Sequence, residues 1–346
     1  MNIKILKLEL ENKIKQDPDN AENYLILANI HANEGDYAGA FDLYGKVLQI
    51  QPDNVHALIN TGSIQFFNGK YDVALDYYQK AVGIDDKNYS PYYNMANIYA
   101  ENHEYGKAIE FYNMAISLNP DSAEIYSSLG TVYQEMSDFE NALSNYFKAL
   151  ELAGSDFVNF ENYVNIGSVY IQQLDYERAV EFYGKAVELN KEDYKSYVCI
   201  GNALSGLKKF SEAFKYYEQA IKIAPDYPDA YLCYGITLSE SGEEDAAVEK
   251  YREAVSISGG APKACLILAN ALLNKDEHDE AVKYYKHVID QDNKNVNAYI
   301  SLGNAYFMKH KIMDAVKYYK SAIDLAPNNL ELQLIYADAL EELANM

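Results

Sequence analysis

The chain has 346 residues, which is long for a single compact core, so the length predicts several domains or an array of repeats. Hydrophobic residues make up 49% of the sequence and charged residues 23%, a balance that excludes bulk disorder. The formal net charge of -23 argues against nucleic acid and anionic membrane surfaces as partners, and it favours a neutral or basic protein or peptide.

The N-terminal segment, residues 1–20, is predicted to form a capping helix that ends before Asp17-Pro18. Lysine alternates with apolar residues here, so the segment lacks the unbroken apolar stretch of a secretory signal. No run of 18 apolar residues occurs anywhere, and three cysteines are too few for a disulfide framework. We therefore expect a cytoplasmic protein without membrane insertion.

The segment from residue 21 to residue 329 consists of nine repeats. An alanine followed four residues later by a tyrosine occurs in every repeat, from Ala40 and Tyr44 to Ala315 and Tyr319. The step is 34 residues except once, where three extra residues, Phe157–Asn159, are predicted to lengthen a loop. The predicted repeats span 21–54, 55–88, 89–122, 123–159, 160–193, 194–227, 228–261, 262–295 and 296–329. Residues 330–346 are predicted to form a C-terminal capping helix whose acidic residues give the array a polar end.

Each repeat has two apolar stretches of helical period, separated by a polar turn such as Glu34-Gly35-Asp36. Proline closes several repeats, for example at Pro52, so the pattern predicts helix, turn, helix, turn. One set of equivalent positions, the Gly/Ala column, holds only glycine and alanine, which let two helices cross closely: Ala28, Gly62, Ala96, Gly130, Gly167, Gly201, Gly235, Ala269 and Gly303. The recurring tyrosines, the tyrosine column, are interpreted as core residues that fill the space beside it: Tyr44, Tyr78, Tyr112, Tyr146, Tyr183, Tyr217, Tyr251, Tyr285 and Tyr319.

The spacing of these residues resembles the signature of the tetratricopeptide repeat family. The clearest copy consists of Tyr126, Leu129, Gly130, Tyr133, Ala142, Tyr146 and Ala149. The resemblance implies an all-α fold, a right-handed superhelical solenoid of antiparallel helix pairs, in which the first helix of each repeat lines a concave groove. It also implies a non-catalytic scaffold or adaptor for protein binding. The repeats 228–261 and 262–295 depart most from the pattern, so we predict that they pack least tightly.

Residues that carry catalytic or cofactor chemistry show no recognisable arrangement. Gly259-Gly260 has no following Lys-Ser or Lys-Thr, so no phosphate loop is predicted. The six histidines lack the spacing of metal ligands, and Cys199 and Cys233 are expected to be small buried thiols. We therefore predict no catalytic residues, no metal and no cofactor, and we do not expect an enzyme.

The first helices of the repeats carry asparagines at two sets of positions that the resemblance assigns to the groove. Amides offer both a donor and an acceptor, so they are candidates for binding the backbone of an extended peptide. The alternative interpretation is that they hydrogen bond between helices of the protein itself. Aromatic residues in the same surface are candidate anchors, in a cluster of Phe66, Phe67 and Tyr93 and in a second cluster of Phe307 and Met308. The candidate groove residues are Asn29, Asn60, Phe66, Phe67, Tyr93, Asn94, Asn97, Asn165, Asn202, Asn270, Asn304 and Phe307.

Three hypotheses for function follow from the sequence. The first is a scaffold or adaptor that holds an extended peptide or a helix in the groove. The second is a substrate-recruiting subunit of an enzyme complex, such as a glycosyltransferase, because an asparagine-lined groove resembles that of the O-GlcNAc transferase repeat domain. The third is self-association of the array. A Lys and Arg clamp for a terminal carboxylate is absent, since those positions hold residues such as Leu25, Ile59 and Ser127.

Overall fold

The computed structural model describes residues 3–346, and these residues form twenty α-helices and no strand. The prediction of an all-α fold is confirmed. Met1 and Asn2, which belong to the predicted N-terminal cap, lie outside the described residues. The helices are α1 Ile3–Gln16, α2 Ala21–Asn33, α3 Tyr37–Ile50, α4 Val55–Phe67, α5 Tyr71–Ile84, α6 Tyr89–Glu101, α7 Tyr105–Leu118, α8 Ala123–Glu135, α9 Phe139–Leu152, α10 Asp156–Gln172, α11 Tyr176–Leu189, α12 Tyr194–Gly206, α13 Phe210–Ile223, α14 Pro228–Glu240, α15 Glu244–Ile257, α16 Pro262–Asn274, α17 His278–Gln291, α18 Val296–Met308, α19 Ile312–Leu325 and α20 Leu330–Ala344.

Helices of two kinds alternate along the chain. We call the even-numbered helices A helices and the odd-numbered helices B helices, so that α2 and α3 form the A and B helices of the first repeat. A left-handed residue stands in the turn from each A helix to the B helix that follows it, and only three of these nine residues are glycine. The other six have φ between 53° and 62°, a conformation that side chains with a Cβ rarely adopt: His103, Ser137, Leu174, Lys208, Asp276 and His310.

The A and B helices of one repeat cross closely at the Gly/Ala column, as the sequence indicated. A methyl group added to Gly62 would lie 2.6 Å from the ring of Tyr78, and one added to Gly303 would lie 2.4 Å from the ring of Tyr319. The tyrosines of the tyrosine column are buried, with at most 4% of their surface exposed. They are therefore core residues, and their rings set the distance between the two helices.

The three extra residues lie in a helix, so the predicted longer loop is wrong. Phe157–Asn159 belong to the first turn of α10, which has 17 residues where the A helix α8 has 13. The Ser155 hydroxyl accepts a hydrogen bond from the backbone N–H of Val158, and no glycine or proline lies between Gly154 and Gly167 to break the first turns of the helix. The insertion therefore adds one helical turn.

The chain divides into two compact units, which we call the N-terminal body, residues 3–169, and the C-terminal body, residues 170–346. Each has its own buried apolar residues, including Ala28, Tyr44 and Ile64 in the N-terminal body and Leu268, Leu302 and Tyr319 in the C-terminal body. None of the helices within residues 3–346 is both long and apolar enough to cross a membrane.

The last helix, α20, packs on the rest of the C-terminal body through Leu332 and Ala339. Its opposite side exposes Leu330, Leu334 and Leu340. The expectation of a polar end is therefore wrong for this face, because the acidic residues of α20 share it with leucines.

Candidate peptide-binding face

The first set of predicted asparagines pairs with the tyrosine column. Each accepts a hydrogen bond through its side-chain oxygen from the tyrosine hydroxyl of its own repeat, 15 residues later in the sequence. The Oη–Oδ1 distances lie between 2.6 and 2.8 Å, for Tyr44 with Asn29, Tyr112 with Asn97, Tyr217 with Asn202, Tyr285 with Asn270 and Tyr319 with Asn304. The structure thus places part of each amide in an interhelical bond, the alternative that the sequence had left open.

Hydroxyl residues take the place of asparagine in three other repeats, at Ser63, Thr131 and Ser168. The Tyr78 hydroxyl donates to the Ser63 hydroxyl at 3.2 Å, and the Tyr146 hydroxyl donates to Thr131 at the same distance. These partners were missed by sequence analysis, although their distance of 15 residues from the tyrosine is the same as that of the asparagines. One repeat differs, because Ile236 stands 15 residues before Tyr251 and its side chain has no hydrogen-bond acceptor.

The second set of asparagines, three residues earlier on the A helices, is less uniform. Asn60 donates to the Asn29 side-chain oxygen at 3.2 Å and to the Tyr44 hydroxyl at 3.0 Å, so it connects α4 to the preceding repeat. Asn94 and Asn165 are half-buried, and neither side chain has a hydrogen bond within residues 3–346. Both amides therefore lack an internal hydrogen-bond partner among the described residues.

Neighbouring A helices of the N-terminal body are joined by uncharged hydrogen bonds. The hydroxyls of Tyr93 and Ser128 lie 3.2 Å apart, and the Ser127 hydroxyl donates to the fully buried Asn162 at 2.9 Å. The Gln134 amide of α8 donates to a serine hydroxyl of α10 at 3.2 Å. These bonds fix the side-by-side arrangement of α6, α8 and α10 without ion pairs.

The aromatic cluster near the N-terminus has different members from those predicted. Phe66 contacts Phe67 with ring centroids 5.6 Å apart, and Tyr37 stacks on Phe67 at 6.2 Å. Tyr93 instead packs against Tyr112 at 5.9 Å, and it makes no ring contact with Phe66 or Phe67 in the described part of the chain. The prediction that Tyr93 belongs to this cluster is wrong, because one repeat separates the two sites.

The exposure of the phenylalanines differs along the face. Phe67 is 74% exposed beside a small cavity of about 230 Å³ that Tyr44 and Asn60 also line. Phe307 and Met308, at the end of α18, are 37% and 46% exposed. Phe67 is therefore the most accessible aromatic residue among those predicted for the groove.

The A helices of the N-terminal body carry several acidic residues, and their basic residues are the two histidines His31 and His56. The helices α2, α4, α6, α8 and α10 contain no lysine or arginine. Glu101 and Glu135 end α6 and α8 and line one cavity of about 320 Å³ together with Thr131. Neither carboxylate has an ion-pair partner within residues 3–346. This part of the face therefore presents uncompensated negative charge.

The buried tyrosine hydroxyls that pair with the A helices have raised pKa values. Burial, with a smaller contribution from the nearby Glu135 carboxylate, raises the pKa of Tyr146 to about 12. Burial also raises the pKa of Tyr78 and of Tyr285 to about 12. The hydroxyls consequently stay protonated and act as donors to the asparagine and hydroxyl oxygens near neutral pH.

Comparison with known families agrees with the repeat spacing and the helix pairs. Models described as tetratricopeptide repeat or TPR repeat match residues 9–55, 55–88, 96–137, 121–192, 194–227, 216–249, 238–303 and 296–329. The chain belongs to the tetratricopeptide repeat family. No curated protein matches the sequence as a relative.

Solved structures of tetratricopeptide repeat proteins share this fold. Yeast Tom70 is 14% identical with a TM-score of 0.57, over 98% of this chain and 92% of that chain. A tetratricopeptide repeat protein from Parabacteroides merdae is 20% identical with a TM-score of 0.53, over 73% of this chain and 98% of that chain. At these identities the likeness shows the fold alone, and the chain has the helix-pair architecture of a tetratricopeptide solenoid and of a protein-interaction scaffold.

Proposed function

We propose that this protein is a non-catalytic adaptor that binds an extended, neutral or basic peptide along the A helices of its N-terminal body. The observation that carries the proposal is the chemistry of that surface. It combines side-chain amides, exposed aromatic rings and unpaired carboxylates, and it has no lysine or arginine on the A helices. Such a surface complements a peptide backbone with cationic side chains.

The hydrogen bonds from the tyrosine hydroxyls occupy the side-chain oxygens of the asparagines and leave their N–H donors available. The Tyr112 hydroxyl occupies the oxygen of Asn97, so the side-chain N–H groups remain for a ligand. A peptide backbone offers its carbonyl oxygens to such donors. The hydrogen bond also fixes the amide orientation before binding, which lowers the entropy cost of ordering the side chain.

The unpaired carboxylates supply selectivity for charge. Glu101 and Glu135 lie on consecutive A helices and share a cavity, so one lysine or arginine side chain of the peptide can reach both. Exposed ion pairs of this kind contribute little each, about 0.2–1 kcal/mol, and are screened by salt. We therefore expect the carboxylates to select the peptide, while backbone hydrogen bonds and Phe67 supply affinity.

A peptide library that varies in charge tests the proposal directly. Fluorescence anisotropy should show binding of peptides with lysine or arginine and weak or no binding of glutamate-containing ones. The variant Glu101→Gln/Glu135→Gln should bind the basic peptides about three- to tenfold more weakly, the effect of losing two exposed ion pairs. The control Glu110→Gln/Glu140→Gln removes the same charge from exposed sites on B helices and should bind normally. Equal binding by both variants contradicts the proposal.

A second pair of variants tests whether the peptide binds to this face. Asn94→Ala and Phe67→Ala should each weaken binding without altering the fold, since Asn94 makes no internal hydrogen bond and Phe67 is largely exposed. Asn97→Ala is unsuitable, because it removes the acceptor of the buried Tyr112 hydroxyl. Unchanged affinity in both suitable variants, with circular dichroism like that of the wild type, would exclude this face.

A further inference from the structure

We propose that the C-terminal body contains a binding site for a para-substituted phenol, the ring chemistry of a tyrosine side chain. The site is a cavity of about 500 Å³ between α15, α16 and α17, and the fully buried Cys265 belongs to its lining. This volume is within the usual range of small-molecule pockets. The cavity lies outside the N-terminal body, so the inference does not depend on the peptide-binding face.

The A helices carry a tyrosine of their own at one set of equivalent positions, which we call the A-helix tyrosine column. Seven of the nine repeats have tyrosine there, and the exceptions are Leu58 and Cys265. Cysteine is the smaller of the two replacements, so the repeat with Cys265 lacks most of the volume of a phenol ring. The tyrosines of the column are Tyr24, Tyr92, Tyr126, Tyr163, Tyr197, Tyr231 and Tyr299.

The preceding repeat shows where the missing ring would lie. The Lys250 ammonium lies 5.8 Å from the ring centroid of Tyr231, and burial together with the nearby Glu253 carboxylate raises the pKa of that tyrosine. The residues 34 positions after Lys250 and Glu253 are Tyr284 and His287, and both line the cavity. The cavity therefore occupies the place that a tyrosine ring fills one repeat earlier.

The hydrogen-bond acceptor for the missing hydroxyl is also unused. The Tyr231 hydroxyl donates to the carbonyl oxygen of Pro225, in the turn before its helix, at 3.1 Å. The equivalent carbonyl belongs to Gly259, which is exposed and accepts no hydrogen bond within residues 3–346. The shorter Cys265 side chain donates instead to the Gly260 carbonyl at 3.4 Å. A phenol in the cavity would find the acceptor that the repeat pattern provides.

The walls of the cavity suit a flat ring with one polar end. Cys265, Val255 and Tyr284 belong to one small apolar cluster, separate from the main core of the C-terminal body. Gly260 lies at the same cavity and has φ of 82°, and a methyl group added there would lie 2.8 Å from the His287 ring. The apolar side chains can contact the ring while its hydroxyl stays near the polar turn.

The carboxylates of the lining are compensated by partners within the protein. Asp279 is paired with Lys309, and Glu280 is paired with Arg252. The ammonium of Lys283, which also lines the cavity, has no ion-pair partner within the described residues and can donate to a hydroxyl oxygen. A phenol hydroxyl both donates and accepts, so it complements a site that offers a carbonyl and an ammonium.

Ligand-observed NMR on the 346-residue chain, with 4-methylphenol as the probe, tests the proposal. We expect a dissociation constant of about 1 mM or lower, and weaker binding of toluene, which lacks the hydroxyl. The variant Cys265→Tyr fills the cavity with a ring of the chain itself and should bind 4-methylphenol at least about tenfold more weakly. Equal binding by this variant and the wild type, or of the two probes, overturns the proposal.

A control and a stability measurement separate the cavity from the thiol and from misfolding. Cys265→Ala keeps the cavity and should bind like the wild type, and loss of binding in this variant overturns the proposal because the thiol would then be the ligand-binding group. Cys265→Tyr should unfold thermally at or above the wild-type temperature, whereas Tyr231→Cys should lower that temperature by emptying a filled position. A lower unfolding temperature for Cys265→Tyr also overturns the proposal, because a phenol ring would not fit.

A peptide distinguishes a free phenol from a tyrosine of a partner protein. The end-blocked peptide Gly-Gly-Tyr-Gly-Gly is compared with 4-methylphenol on the wild type and on Cys265→Tyr. Binding of the peptide to the wild type alone, at least as tight as that of 4-methylphenol, supports a partner tyrosine as the ligand. Binding of 4-methylphenol without the peptide supports a small free phenol. Binding of neither overturns the proposal.

Discussion

The two bodies of this molecule connect their repeats by different chemistry. In the N-terminal body, neighbouring A helices are joined by neutral bonds such as that from Ser127 to Asn162. In the C-terminal body, ion pairs join consecutive repeats, including Lys263 with Asp229 and Arg252 with Glu280. Further pairs of this kind are Lys275 with Asp245 and Lys309 with Asp279.

The difference shows that repeats with the same core packing can be connected by different polar interactions. Where neutral bonds hold the repeats together, carboxylates such as Glu101 and Glu135 keep their charge unpaired. Where the repeats depart from the aromatic pattern, as at Glu244 and His278, ion pairs connect them instead. The core packing at the Gly/Ala column is the same in both bodies.

The largest expected effect tests the neutral bonds of the N-terminal body. Asn162→Ala should lower the free energy of unfolding by about 1–3 kcal/mol, because the Ser127 hydroxyl loses its acceptor in a buried place. Urea titration followed by circular dichroism measures this change. The matched control Asn94→Ala should have a much smaller effect, and a result in which both variants unfold alike would show that these bonds do not hold the A helices together.

A smaller effect tests the tyrosine–asparagine hydrogen bond, which occurs in both bodies. Tyr285→Phe should cost about 1 kcal/mol in stability, since the Asn270 oxygen loses its donor. Tyr251→Phe should cost close to nothing, because Ile236 takes the place of asparagine 15 residues before it and offers no acceptor. Thermal unfolding of both variants and of Tyr112→Phe gives the comparison. Equal stability of Tyr251→Phe and Tyr285→Phe would refute the energetic role of the tyrosine–asparagine bond.

The smallest expected effect concerns the ion pairs of the C-terminal body. The hydrogen bond from Arg252 lowers the pKa of the Glu280 carboxyl below its ordinary value of 4.5. Its contribution is therefore present above about pH 4.5 and is lost as the pH falls through the lower value of the folded state. A double-mutant cycle with Arg252→Ala and Glu280→Gln should give a coupling of about 0.2–1 kcal/mol at neutral pH, since both side chains are partly exposed. A coupling that stays unchanged at pH 3 would contradict the ion pair.

The fold was predictable from the sequence because packing fixes the period. A tyrosine can occupy the core only where a glycine or alanine faces it, and this pairing recurs at Gly62 with Tyr78 and at Gly303 with Tyr319. The insertion was not predicted correctly, because three residues added before an A helix fit a loop and a helical turn equally well. The greater looseness of repeats 228–261 and 262–295 stays a prediction.

The candidate site was only partly predictable. The asparagine positions could be read from the repeat, but their tyrosine partners lie 15 residues away on another helix, a spacing that no single-helix pattern reveals. The membership of Tyr93 in the aromatic cluster was misjudged because Tyr93 lies on the A helix of the next repeat and packs against Tyr112 of its own repeat.

Because the core contains buried tyrosines, the response of the fold to high pH can be followed by ultraviolet absorbance. The chain has 34 tyrosines and no tryptophan, so its near-ultraviolet absorbance reports phenol ionisation alone. Burial raises the pKa of phenols such as Tyr78 and Tyr319 to about 12. The stability that these neutral phenols contribute is complete below about pH 10 and is lost as the pH rises through about 12. The phenolate absorbance of these buried tyrosines should therefore appear as the pH rises through about 12, and circular dichroism should show the helix pairs unfolding over the same range.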